Sequence, residues 1–486
     1  MPSYSPEEHR QDCERVLAPF VCHPDLPFAD VVTGSDIERA FAEEEVLFGT
    51  RCTSVYTPPL ALWGFLSQGV HKEKACLAAA LRIGVLLLVL GRPAGDCNSG
   101  TYCRARAKLP YHLLRRLSVQ VGRGLERQVP RSWLWRGRHV KLVDGFTVHM
   151  PDTEENQQSY PQPSTQKPGL GFPLMRLVLM VSLITACVQD LAYGPYEGKE
   201  TGETALFRTL LGELSAGDVI VFDRYFCSYF MVALALRHQV DVVVRLHQRR
   251  TCDFRRGQRL GRGDHVVVWK RPDRPDWMTA EEYETIPKTL TVREVFVKVA
   301  EPGFRVESLV VVTTLLDEKA FDKEDVGDLY RERWQVELDI RSLKVSLQMD
   351  PLRCMTPFMI DKEIWANVLS YNLLRKVAAQ AALLHGRHPR EISFTATKQA
   401  VEASWQPLSR ETLAKQLELG RHLLKELSKQ RVGNRPDRCE PRAVKGRPKP
   451  HDLLMKPRKE AQAELMKRRR GSPSAAKAKT TAKKRC

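Results

Sequence analysis

Two short apolar runs, each closing on an aspartate, constrain this chain most: HVKLVD at 139–144 and DVIVFD at 218–223. Runs of this length between turn residues read as buried strands. A further strand segment at 146–150 follows the first, a long one is expected over 176–188, and another over 240–246. Helical patterns occupy 204–214 and 225–238, and strands alternating with helices imply an α/β sheet layered by helices. In such sheets ligands gather at the carboxyl edge of the strands. Asp144, just before Gly145, and Asp223, just before Arg224, are expected there, their plainer use being a helix N-cap or a turn. Asp218, Asp152 and Asp190 are weaker competitors, the first opening its strand and the others lying in loops.

A third carboxylate comes from the segment 330–344, YRERWQVELDIRSLK. Read as one helix at about 100° per residue, Tyr330, Arg333, Glu337 and Lys344 fall within about 60° of arc. Val336, Ile340, Leu343 and Leu347 form the apolar face beside that stripe, so the polar groups border a core. A solvated charged face is the bland alternative. Asp144, Asp223 and Glu337 together, with no histidine, form a ligand set for two Mg²⁺ or Mn²⁺ ions rather than zinc. Such a pair clamps the attacking and leaving oxygens of an in-line phosphoryl displacement. Tyr330, Arg333 and Lys344 then serve as phosphate holders.

At 486 residues the chain exceeds one core, and 43% hydrophobic with 28% charged residues describes a soluble globular protein of two or three domains. The net charge of +18 is concentrated at one end, where residues 441–486 carry 16 Lys/Arg against 3 acids. Such a tail reads as disordered and attracts a polyanion without reading sequence. Twelve cysteines without a CxxC pair fit a reducing cytosol and suggest neither a zinc ribbon nor a disulfide framework. The N-terminus is too polar for a signal peptide, and the run 174–188 is too short to span a bilayer.

Residues 1–130 read as mostly helical, with segments at 36–47, 60–70, 72–90 and 101–128. The breaker-rich stretch 91–100 precedes TYCRARAKLP, which places Arg104 and Arg106 near a helix start suited to phosphates or guanine edges, or else on an ordinary basic surface helix. Residues 250–316 are rich in β-type runs, expected as antiparallel strands at 265–271, 289–300 and 304–316. Helices are expected at 361–384 and 408–427.

The spacing of Tyr330, Arg333, Glu337 and Lys344 resembles the YREK motif of the insertion-sequence-four family of DDE transposases. The regions around Asp144 and Asp223, and WGFLSQG with TYCRARAKLP, are similar to that family too, so the resemblance covers roughly residues 55–450. It implies an RNase H-like catalytic core interrupted by a β-rich insertion, with Asp144, Asp223 and Glu337 as the acid triad. The implied organisation is a helical DNA-binding region at 1–130, core at 131–249 and 317–390, insertion at 250–316, helices at 391–440 and a basic tail at 441–486. It further implies double-stranded DNA as partner, both terminal inverted repeats and target, a homodimer on paired ends, and a bacterial cytoplasm close to the nucleoid. Some members trap a flipped base with a tryptophan of the insertion, for which Trp269 is the candidate and Trp277 its rival, plain core packing being the favoured alternative for both; Trp334, Arg341 and Arg224 flank the site by spacing. The competing readings are a domesticated DNA-binding protein that no longer cuts, and a nuclease without strand transfer.

Overall fold

The computed structural model describes residues 4–51, 54–299, 308–433 and 454–471. Its N-terminal part contains helices α1 (Pro6–Leu17), α2 (Gly34–Glu43), α3 (Pro58–Val70), α4 (Cys76–Val89), α5 (Ser99–Ala107) and α6 (Tyr111–Gln128). The single helix expected over 101–128 is two, because Pro110 has an extended backbone and no N–H with which to continue the ladder. Helix α5 starts on Asn98, whose carboxamide oxygen accepts from the N–H groups of Gly100 at 2.7 Å and Thr101 at 3.4 Å.

The centre is a mixed α/β layer built on one nine-stranded sheet of order β3-β2-β1-β4-β5-β9-β8-β7-β6. Its first five strands are β1 (Val140–His149), β2 (Leu174–Ser182), β3 (Val188–Pro195), β4 (Val219–Phe222) and β5 (Asp241–Arg245), with α7 (Glu154–Ser159), α8 (Glu203–Arg208) and α9 (Tyr229–Arg237) between them. Strands β1, β4 and β5 are parallel; β2 runs antiparallel to β1, and β3 to β2. Alternate residues feed two cores on opposite faces: Leu142, Val221 and Val243 on one, Val143, Ile220, Phe222 and Val244 on the other.

Two strand expectations change. The runs at 139–144 and 146–150 form one strand, because β2 pairs with β1 through Asp144 and Gly145 to His149, whereas the parallel pairing with β4 stops at Leu142. The apolar run 176–188 instead folds back as the β2–β3 hairpin, turning where Ala186 takes a left-handed backbone (φ 59°). The β-rich segment contributes β6 (Gln258–Gly261), β7 (Asp264–Lys270), α10 (Ala280–Thr285), β8 (Thr289–Lys298) and β9 (Ser308–Thr313). Its strands are antiparallel, and β9 pairs with β5, so the segment extends the central sheet. Within it, the buried guanidinium of Arg293 clasps Asp264 with contacts of 2.8 and 2.5 Å.

After β9 come α11 (Lys323–Arg331), α12 (Trp334–Arg341), a π-helical turn (Ser342–Ser346), α13 (Pro357–Leu384), α14 (Phe394–Arg410) and α15 (Leu413–Lys429). The expected helix 408–427 is split between the last two, which meet at Glu411 and the N-cap Thr412. Helix α16 (Arg458–Gly471) puts part of the expected disordered tail into helix, consistent with its Ala, Glu, Lys and Arg content; residues 441–453 and 472–486 lie outside the described residues. Among the described residues no helix is long and apolar enough to cross a membrane.

Helix α13 is almost entirely buried, and its polar side chains tie the N-terminal helices to the sheet. The Asn372 carboxamide donates to Ser118 O (2.9 Å) and Val188 O (2.8 Å) and accepts from Val188 N (2.8 Å). Two further residues of α13, Tyr371 and Arg375, hold Asp339 of α12. Its carboxylate, fully buried, accepts from the Tyr371 hydroxyl (3.0 Å), Arg375 Nη2 (2.8 Å) and Arg390 Nη2 (2.9 Å). Glu337, two residues earlier, therefore points to the opposite side of α12. Removing one partner of a buried ion network leaves charge uncompensated. Asp339→Ala should lower unfolding free energy by about 3–5 kcal/mol, read by denaturant titration; a change within error would refute the anchoring role.

Candidate active site

Strands β1 and β4 pair in parallel with Val140 opposite Val219 and Leu142 opposite Val221. Continued two residues past the end of that ladder, the register directs Asp144 and Asp223 to the face that carries Leu142 and Val221, and Asp223 acts on the Asp144 carboxyl by repulsion. Asp223, just past β4, also caps the following 3-10 turn Arg224–Phe226, its Oδ1 accepting from Arg224 N at 2.7 Å. The N-cap use and the strand-edge position coincide in one residue. Asp144 Oδ1 accepts from Gly145 N at 2.8 Å, and its Oδ2 lies 3.3 Å from Arg333 Nη1.

Arg333 sits at the joint between α11 and α12, so residues 330–344 are not the single helix expected. From that joint its Nη2 donates to Glu337 Oε1 at 2.6 Å, and one guanidinium thereby bridges Glu337 and Asp144. Tyr330 is buried at the end of α11, where burial pushes its phenol well above the usual range, with Asp223 adding to the effect and Arg333 and Arg245 opposing it. Lys344 lies elsewhere. The break and the π-helical turn carry it along β1, so its Nζ donates to Thr147 O (2.7 Å) and pairs with Asp350 (2.9 Å). That is three residues from Asp144, about 10 Å along the strand. The apolar side of the segment is as expected: Val336, Leu343 and Leu347 are buried and Ile340 packs against the same core.

Burial pushes the Asp144 carboxyl up to about 6; the Arg333 guanidinium and the Gly145 N–H oppose this, and Glu203 and Asp223 repel. Glu203, at the first turn of α8, was not singled out in the sequence. Its carboxyl is also raised, by burial first, with Arg176 lowering it and Asp223 raising it. It approaches β1 from the other face: a Cβ on Gly145 would lie 2.4 Å from Glu203 Cδ. The bare Cα of Gly145 leaves room for that approach, and the Asp-Gly pair at 144–145 was the one available signal.

The remaining candidates scatter. Arg104 is exposed on α5 and donates to Thr101 Oγ1 at 3.0 Å. Arg106 turns inward, donating to Gln68 Oε1 (3.0 Å) with its guanidinium 4.8 Å from the Phe65 ring centre. It pins α5 to α3, which removes it from a groove-reading role. Trp269 is buried on β7, donates to Glu294 Oε1 at 3.3 Å and carries the Arg250 guanidinium 3.9 Å from its ring centre. Trp277 is half-buried against Arg208 (3.8 Å). Trp334, Arg341 and Arg224 are exposed, with Arg224 next to Asp223 in sequence and Trp334 opening α12.

Residues 135–373, which span Asp144, Asp223 and Glu337, match the family model of the transposase DDE domain. The chain is 25% identical over 352 residues to the transposase InsG for insertion sequence element IS4 of Escherichia coli (strain K12), covering 71% of this chain and 76% of that protein. It is 40% identical over 65 residues, 13% of its length and 18% of the relative's, to the transposase for insertion sequence element IS421 of Escherichia coli. A piggyBac transposase in a synaptic complex with hairpin DNA superposes with a TM-score of 0.40 at 12% identity, over 88% of this chain and 87% of that one. A match to the transposase DDE domain across all three acids, with similarity to InsG over most of both chains, supports a DDE transposase of the insertion-sequence-four family.

Proposed function

We propose that this insertion-sequence transposase cleaves DNA and transfers strands at Asp144, Asp223 and Glu337, by in-line phosphoryl displacement within an RNase H-like core. The observation that carries the reading is that Asp144 and Asp223 follow the ends of one parallel strand ladder, with Arg333 joining Glu337 to Asp144. The strand order β3-β2-β1-β4-β5, with only β2 antiparallel to its central neighbour β1, supports the core assignment.

The residues fit a pair of hard divalent cations. All three donors are carboxylates, and Asp144 is already strained by burial and by its acidic neighbours. Mg²⁺ or Mn²⁺ held there supplies charge for the attacking and leaving oxygens. Glu203 adds negative potential from the other face of β1. Arg333 neutralises Asp144 and Glu337 in the free protein and, when released, offers a bidentate fork to a DNA phosphate. Tyr330 and Lys344 extend the phosphate track on either side, and exposed Arg104 adds a contact from α5. The partners are double-stranded DNA, as terminal inverted repeats and as target, with two protomers on paired ends in a bacterial cytoplasm. The +18 charge supports that polyanionic partner.

Asp144→Ala, Asp223→Ala and Glu337→Ala should each abolish Mg²⁺-dependent cleavage of inverted-repeat DNA while gel-shift binding persists; cleavage retained by any one would overturn the triad. Arg333→Ala should weaken the complex with cleaved ends, and raising salt should weaken all DNA binding steeply. A complex insensitive to salt would contradict the phosphate roles.

Asp144 also predicts a stability signature. Its folded carboxyl, at about 6, lies above the unfolded 3.8, so the protonated form favours folding. The contribution is whole below the unfolded value and is lost as pH rises through 6. In chelator, Asp144→Asn should therefore raise stability at neutral pH by about 2 kcal/mol, and should give almost no gain near pH 4. Thermal melts at both pH values check this.

A further inference from the structure

A second cluster of metal-type ligands lies in the β-rich segment, built from other elements than the acid triad. Cys252 comes from the loop between β5 and β6, His265 from β7 and Glu294 from β8, where the last two are directly paired across the strands. His265 and Glu294 are buried. Cys252 Sγ lies 3.7 Å from His265 Nε2, and Nε2 lies 3.0 Å from Glu294 Oε2. All three donor atoms fall within 4.8 Å of one another.

The hydrogen bonds fix how the three groups are oriented. His265 Nδ1 is 2.7 Å from the carbonyl oxygen of Arg256. A carbonyl only accepts, so Nδ1 carries a proton, and Nε2 shares a second one with the Glu294 carboxylate at 3.0 Å. Once a metal ion displaces that second proton and the Cys252 thiol proton, Nε2, Oε2 and Sγ are three electron donors gathered at one point. The second oxygen of Glu294 is held by Trp269 Nε1–H at 3.3 Å. Imidazole and carboxylate are thus each oriented by a partner behind them, as metal ligands commonly are.

We propose that Cys252, His265 and Glu294 bind one zinc ion. Sulfur with imidazole selects a borderline-soft ion over Mg²⁺, and tetrahedral Zn–S and Zn–N bonds imply an S···N separation of about 3.6 Å, close to that observed. Binding releases to solvent the Cys252 thiol proton and the proton held between His265 Nε2 and Glu294, and forms the Zn–S bond. Two negative ligands neutralise the ion, so Arg249, Arg250 and Arg256 around it meet no added charge. The fourth position faces a cavity of about 520 Å³ lined by those arginines and Asp253. The ion staples the loop between β5 and β6 onto β7 and β8, and that loop carries Arg249, Arg250, Arg255 and Arg256. The staple fixes the height of a basic ridge beside Trp269.

The test is cobalt substitution in the full-length protein after chelation. Wild type should take up one equivalent of Co²⁺ with tetrahedral bands and thiolate charge-transfer absorption, all displaced by zinc and none by excess Mg²⁺. The carboxylate triad has no sulfur and cannot give the charge-transfer band, so its occupancy is read separately. Cys252→Ser should lose that band, and Trp269→Phe should keep it with about 10-fold weaker binding. A wild-type protein without the band, or a folded Cys252→Ser that retains it, overturns the proposal. If Cys252→Ser fails to fold, the wild-type spectrum and its zinc displacement decide alone.

Discussion

The position of Glu337 depends on a carboxylate that faces away from the site. Asp339 is buried among Tyr371, Arg375 and Arg390, so α12 cannot rotate without exposing or unpairing three charged groups. That fixes which face of α12 looks at β1. The other face carries Glu337 and leads back to Arg333, which reaches both Glu337 and Asp144. Arg390 also donates to Ser182 O at 3.1 Å, tying the same network to the end of β2. One buried charge cluster thereby references the glutamate to the strand pair that supplies the aspartates.

The site is held in electrostatic conflict. Asp144, Asp223, Glu337 and Glu203 gather around β1, and Arg333 bridges only two of them. The fold forces the remaining repulsion through the β1–β4 pairing and the bare Cα of Gly145. Such a geometry is poised for added positive charge, and its strain is the ordinary cost of a preorganised polar site.

Much of this was legible in the sequence, for definable reasons. The apolar runs before Asp144 and Asp223 and the apolar face of Val336, Leu343 and Leu347 are periodic, and periodicity reports burial directly. The break at Arg333 and the π-helical turn at Ser342–Ser346 left no such trace, so Lys344 was placed on a stripe that the backbone does not keep. Arg106 shows the same limit: an arginine in a basic helix reads alike whether it faces solvent or, as here, Gln68 and Phe65. Glu203, signalled only by the glycine after Asp144, and the Cys252–His265–Glu294 cluster were missed because each is assembled by long-range pairing rather than by local spacing.

The pairing of β9 with β5 makes the whole β-rich segment an extension of the sheet that carries Asp144 and Asp223. Its strand pairing to that sheet runs through β9 alone, while β6 and β7 form the outer margin and side chains such as Trp269 and Leu290 share a core with Phe222 and Tyr229. Residues gained or lost at the rim of that margin leave the register of the β9 pairing untouched, whereas a single-residue slip in β9 would swap the faces of Val311 and Val312 between two cores. Changes in length at that rim are therefore the ones that leave the strand pairing beside Asp144 and Asp223 undisturbed.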